Sequence, residues 1–146
     1  MQTRRILNPM AVAAEGAAKL PAAHREAILR NNDEALAELA ADRAQHAHIK
    51  RLSHALLVAD VLARIAPLAR NNRAVEIAAG MAALAAITLR QRKTYAWRST
   101  QAEIIAISDA LAVHAVQVEH ASLREMERAT EMVEAMRCTQ NTGTAA

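Results

Sequence analysis

A chain of 146 residues is long enough for one domain with a sizeable core, and its composition restricts how that core is built. Hydrophobic residues make up 53% of the chain but aromatic residues only 1%, so the core must consist of small and aliphatic side chains. The net charge of +3 conceals a basic middle: residues 43–98 contain ten Lys or Arg and two acids, whereas residues 99–146 contain three Arg and seven acids. The single cysteine excludes an internal disulfide and fits a reducing cytoplasm.

The N-terminal part is predicted to form short helical segments. Two arginines and an Ala-rich run near the start superficially resemble a secretory signal, but Asn8 and Pro9 break its apolar centre, so we do not expect cleavage. Pro21 suits the first position of a helix, and residues 21–30 are predicted to form one. The abundance of Ala and the scarcity of Gly and Pro favour helices along the rest of the chain as well.

Two longer helices are predicted in the middle of the chain. Asn31 has Glu34 three residues later, the spacing of a capping box, so either a new helix begins there or the first helix bends. This helix is predicted to continue to residue 65, because Pro67 and two asparagines follow it closely. After this connection, residues 73–95 are predicted to be helical.

The third long helix is predicted over residues 100–137. Thr100 and Glu103 have capping-box spacing, and no Gly or Pro interrupts the pattern that follows. Apolar and small residues recur from Ile107 to Met136 with a period of about 3.6, which favours bundle packing over a supercoil. Such a helix would be about 55 Å long, so we expect an elongated antiparallel bundle of three main helices that forms a homo-oligomer, most simply a dimer.

The apolar stretch at residues 77–89 is uncharged and is followed by cations and two amphipathic aromatic residues, a pattern also found at membrane interfaces. A spanning helix needs about 20 apolar residues, and Glu76 and Arg73 limit this stretch on its N-terminal side. We therefore predict that it forms the buried central helix of a bundle, and we regard membrane insertion as the less favoured alternative.

The sharpest functional signal is the segment from Arg90 to Arg98, which contains four cations, no acid, and the only Tyr and Trp of the chain. Arg and Lys bind phosphate by charge and hydrogen bonds, while aromatic rings can stack on bases. The predicted nucleic-acid contacts are therefore Arg90, Arg92, Lys93, Tyr95, Trp97 and Arg98. The structural alternative is that Trp97 anchors the end of the bundle and that the cations around it are solvated.

The remaining polar residues form no pattern typical of catalysis or metal binding. Asp42 and His46 are one helical turn apart, but no second pair of ligands has matching spacing. Ser53 is only a sequence neighbour of His54. Residues 107–121 resemble the spacing of a helix-turn-helix, yet Ala stands where the turn usually has Gly and acids follow, so a continuous helix is favoured. We expect no enzyme activity, no metal and no cofactor.

These observations favour a non-enzymatic, oligomeric helical accessory protein of the bacterial cytoplasm that contacts DNA or RNA through the basic segment. The predicted domain spans residues 1–138 and is followed by a disordered tail over residues 139–146. Two alternatives remain. One is a protein–protein adaptor whose partner binds the acidic C-terminal helix, and the other is a membrane-associated accessory protein.

Overall fold

The computed structural model describes Met10, Ala14, residues 16–66 and residues 73–143. These residues form no strand and five long helices: α1 (Ala22–Ala40), α2 (His46–Ile65), α3 (Ala74–Thr94), α4 (Gln101–His120) and α5 (Leu123–Thr142). The predicted all-α class and bundle packing are confirmed. The signal-like start and the predicted connection at residues 67–72 lie outside the described residues.

The residues directly before α1, Ala18 and Lys19, contact the junction between α4 and α5. Lys19 pairs with Ser122 through an isolated backbone bridge, and the Leu123 N–H donates to the Ala18 carbonyl at 2.7 Å. Leu20 follows this bridge and is buried, with 4% of its surface exposed. The described residues before α1 therefore contribute Leu20 to the core.

Helix α2 is the centre of the bundle, because it contacts all four other helices and buries eight residues. The prediction that residues 77–89 form the central buried helix is wrong. Helix α3, which contains them, buries one face and exposes an alanine-rich face. Among the described residues, α3 is also the one helix long and apolar enough to cross a membrane. A stretch of 18 residues in it has a mean hydropathy of 1.3, and 28% of that stretch is buried. Core helices of soluble proteins can have the same length and hydropathy, so α3 is weak evidence for a membrane protein.

The helix predicted over residues 31–65 is two helices, because the chain turns between α1 and α2. The predicted capping box at Asn31 lies inside α1. Helix α1 ends before Asp42, which has φ 56°, a left-handed conformation that Asp tolerates better than most residues. The Arg43 guanidinium then donates back to the Glu38 carboxylate at 3.0 Å. This ion pair spans the turn that the sequence pattern did not reveal.

The helix predicted over residues 100–137 is also two helices, α4 and α5. Ser122 starts the second one with a capping box, since its hydroxyl accepts from the Glu125 N–H at 3.2 Å and its own N–H donates to the Glu125 carboxylate at 2.9 Å. Each helix is about 30 Å long, so neither requires a second copy to cover its length. Helix α5 ends at Thr142, so residues 139–142 of the predicted tail are helical.

The core has two main clusters at opposite ends of α2. Leu52 and Leu56 pack in the first cluster with residues of α1, α3 and α4. Val61 and Leu62 pack in the second with residues of α4 and α5. Between them, α3 crosses α4 closely at Gly80, where an added Cβ would lie 2.5 Å from the Cβ of the opposing alanine. The connection from α3 to α4 lies over the first cluster, and this places the basic segment at that end of the bundle.

Candidate nucleic-acid interface

The basic segment spans the last turns of α3 and the connection to α4, and the structure divides its six predicted contact residues into two groups. Four are exposed, and together we call them the basic end: Arg92, Lys93, Tyr95 and Arg98. Within the described part of the chain, none of its three cations, Arg92, Lys93 and Arg98, forms a salt bridge. The other two residues, Arg90 and Trp97, make internal contacts.

Arg90 is occupied by an ion pair that joins α3 to the start of α4. Its guanidinium donates to the Glu103 carboxylate at 2.7 and 3.2 Å and to the Arg98 carbonyl at 2.8 Å. The hydrogen bonds from Arg90 lower the pKa of Glu103, and the same pairing raises the pKa of Arg90. Glu103 also accepts from the Thr100 N–H at 2.8 Å, which completes the predicted capping box. One carboxylate thus caps α4 and fixes the connection that carries Arg98.

Trp97 is half-buried and packs against the core cluster at this end of the bundle. Its ring also faces the imidazole of His46 at the start of α2, with centroids 6.2 Å apart and planes inclined by 34°. This separation is within the range of favourable aromatic pairs. The contacts agree with the structural alternative for Trp97, in which its ring anchors the end of the bundle.

Tyr95 is the most unusual residue of the basic end. It caps the C-terminus of α3 in the left-handed conformation, with φ 58° and ψ 19°, and its N–H donates to the Gln91 carbonyl at 2.7 Å. This position usually has Gly, because a side chain in the left-handed region costs about 1–2 kcal/mol. Nevertheless Tyr95 is 87% exposed. An exposed aromatic ring on a strained backbone favours a functional role over a packing role.

The basic end keeps a net positive charge despite the helix dipole. Arg92 and Lys93 lie in the last turn of α3, where the helix C-terminus carries about half a negative charge. Arg98 adds a third cation, and the nearby carboxylate of Glu103 is paired with Arg90. More than two positive charges therefore remain available for an anionic ligand.

Beside the basic end lies a cleft of about 830 Å³, which we call the cleft throughout; α2 and α3 form most of its lining, and Trp97 and the end of α5 complete it. Its apolar lining includes Ile49, Leu56 and Leu57 from α2 and Met81, Leu84 and Leu89 from α3. Three cations surround this lining, namely Lys50, Arg92 and Arg137, while His46 and Trp97 lie at one end. No Asp or Glu is among the described residues that line it. The cleft therefore combines an apolar lining with a positive rim.

Sequence reasoning missed three residues of this surface, His46, Lys50 and Arg137. His46 and Lys50 are four residues apart on α2, so they share one helix face, and this spacing could have linked them. Arg137 comes from the end of α5, far along the chain, and reaches the cleft only through tertiary packing. No local pattern could have indicated it.

The described residues include no group of three or more His, Cys, Asp or Glu that could hold a metal ion. Cys138 is a free, exposed thiol on α5. Residues 107–120 belong to one uninterrupted helix, so the helix-turn-helix alternative does not apply to them.

Comparison of the chain with protein-family models, with curated proteins and with solved structures finds no match. Function must therefore be inferred from the basic end and the cleft.

Proposed function

We propose that this protein is a non-enzymatic, oligomeric accessory protein of the cytoplasm that binds single-stranded DNA or RNA through the basic end. The exposed ring of Tyr95 is the observation that carries the proposal, because it stands on a left-handed backbone beside three exposed cations. Arg92, Lys93 and Arg98 supply phosphate contacts, and a base stacked on the ring adds about 1–3 kcal/mol. A single strand is favoured over a duplex because its bases are free to stack on a side chain.

Removing two cations from the basic end should weaken binding and flatten its salt dependence. Replacing Lys93 and Arg98 together by Gln should reduce the slope of log affinity against log salt by about 1.4, since each phosphate contact on a single strand contributes about 0.7. Fluorescence anisotropy with a labelled oligothymidylate measures this slope. The control replaces Arg124 and Arg128 on α5 by Gln, which removes the same charge away from the basic end. Identical slopes for the two variants would contradict the proposal.

Replacing Tyr95 by Gly should lower the affinity for the oligonucleotide without lowering the stability of the fold. Gly adopts the left-handed conformation without the steric cost of a side chain, so the free energy of unfolding should stay constant or rise by about 1 kcal/mol. Loss of stacking should reduce affinity for the same oligonucleotide about tenfold or more. Tyr95→Phe is the matched control, because it keeps the ring and should keep the affinity. Wild-type affinity in Tyr95→Gly would remove the ring from the proposed site.

A protein–protein adaptor is the second candidate, and the cleft is the observation that favours it. Grooves with apolar walls and a charged rim bind amphipathic helices of opposite charge. The acidic C-terminal helix is a second surface for a partner, since α5 exposes Glu127, Glu131 and Glu134. If the protein failed to bind oligonucleotide at low salt and bound an acidic amphipathic helix of another protein in the cleft, the adaptor would be the better account.

A further inference from the structure

We propose that the cleft receives the exposed face of helix α4 from a second copy of this chain. This self-association supplies the oligomeric state of the proposed function, whereas the binding of nucleic acid by Lys93, Tyr95 and Arg98 does not require it; Arg92 borders both surfaces. It follows from the polarity, length and charge of two surfaces that the same chain carries.

The first surface is the outer face of α4. Ile105 and Val116 are each 53% exposed, and Ala112 between them is exposed too. Their spacings of seven and four residues place all three on one line along the helix. A helix that exposes two large β-branched side chains along one line presents an apolar stripe about three turns long.

The charge of this face is negative. Helix α4 contains no Lys or Arg, and it exposes Asp109 and Glu119. With about 3.6 residues per turn, these two carboxylates lie on opposite sides of the line from Ile105 to Val116. The third acid of α4, Glu103, is already paired with Arg90. The outer face of α4 is thus an apolar stripe between two unpaired acids of the described structure.

The second surface is the cleft, whose length matches that stripe. Its α2 wall extends from His46 to Leu57 and its α3 wall from Met81 to Arg92. Each wall covers about three helical turns, or about 16 Å, which is also the rise along α4 from Ile105 to Val116. The cleft is therefore long enough for the full apolar stripe of α4.

The charges of the two surfaces are complementary. Lys50, Arg92 and Arg137 surround the cleft and no acid lines it among the described residues, whereas α4 offers two acids and no cation. A nucleic-acid strand in the cleft would satisfy the cations but would leave apolar side chains such as Leu57 and Leu89 uncovered. The α4 face of a second copy satisfies both the charge and the apolar lining.

Each copy has one cleft and one α4 face, and a two-fold axis that brings both contacts together gives a closed dimer. The test is a charge swap in the full-length protein. One variant carries Lys50→Glu and Arg137→Glu in the cleft, and a second carries Asp109→Lys and Glu119→Lys on α4. Each variant alone opposes like charges at the contact. An equal mixture pairs opposite charges at both contacts again.

Light scattering at about 50 µM protein should give twice the chain mass for the wild type, the chain mass for each variant alone, and twice the chain mass again for the mixture. Each single variant should lose at least tenfold in self-association affinity, and far-ultraviolet circular dichroism should show unchanged helicity. A monomeric wild type, variants that still associate, or a mixture that stays monomeric would each overturn the proposal. A monomeric wild type whose oligonucleotide affinity falls with Lys50→Glu and Arg137→Glu, neither of which belongs to the basic end, would instead assign the cleft to nucleic acid.

Discussion

Lowering the pH from 6.5 to about 4 should remove about 3 kcal/mol from the free energy of unfolding through one side chain, His114. Its imidazole is 2% exposed, and burial lowers its pKa from 6.5 to about 4. The folded protein therefore holds His114 neutral in this range, while the unfolded chain takes up a proton. Because the unfolded state binds more protons, stability is fully present above pH 6.5 and decreases by about 1.4 kcal/mol per pH unit below it.

Urea unfolding at several pH values measures this slope, and substitution assigns it. His114→Leu removes the titrating group, so between pH 6.5 and 5 the slope should fall to the contribution of His54, whose pKa burial also lowers. His120→Gln, at the exposed end of the same helix, is the matched control and should keep the wild-type slope. A His114→Leu variant with an unchanged slope between pH 6.5 and 5 would show that His114 is not the group responsible.

Replacing Gly80 by Val should cost about 3 kcal/mol of stability, because α3 and α4 leave no room for a side chain there. A Cβ at this position would lie 2.5 Å from the Cβ of Ala110 and 3.2 Å from the carbonyl oxygen of Ala106. Neither atom belongs to a flexible side chain, so the helices must separate. Better helix propensity offsets only about 1 kcal/mol, so even Gly80→Ala should be destabilising.

The control for the crossing is Ala82→Val, two residues along α3 on its exposed face. It adds a β-branched side chain to the same helix without a steric conflict, so it should cost only about 0.5 kcal/mol of helix propensity. Thermal unfolding of the three variants gives the comparison. Equal losses for Gly80→Val and Ala82→Val would contradict close packing at the crossing.

The fold class was predictable because helix propensity, caps and periodicity agree along the chain, and the capping box of Thr100 and Glu103 occurs as predicted. The start of α5 at Ser122 could also have been predicted, since Glu125 follows Ser122 at capping-box spacing. The break at Asp42 was not, because nothing in its neighbouring residues requires a left-handed conformation. The apolar periodicity continues across both breaks, so it predicted one long helix at each place where the structure has two.

The sequence predicted the candidate site only as a continuous segment, residues 90–98, and not which of its side chains are free to bind a ligand. Its position at an exposed end of the bundle agrees with its charge, although Trp97 packs against the first core cluster. The ion pair between Arg90 and Glu103, however, depends on how α3 and α4 cross, and no spacing of residues along one helix indicates it. The same holds for Arg137 at the cleft, which comes from a different helix. Tertiary packing thus decides which cations are free to bind a ligand.

Binding of a single strand by the basic end is tested most directly by the affinity of the wild-type protein for a labelled single-stranded oligonucleotide as salt increases from about 50 to about 200 mM. Three phosphate contacts by Arg92, Lys93 and Arg98 predict micromolar affinity at the lower concentration and a slope of about −2 in log affinity against log salt. Absence of binding at about 50 mM salt and tens of micromolar protein, or an affinity independent of salt, would contradict this function.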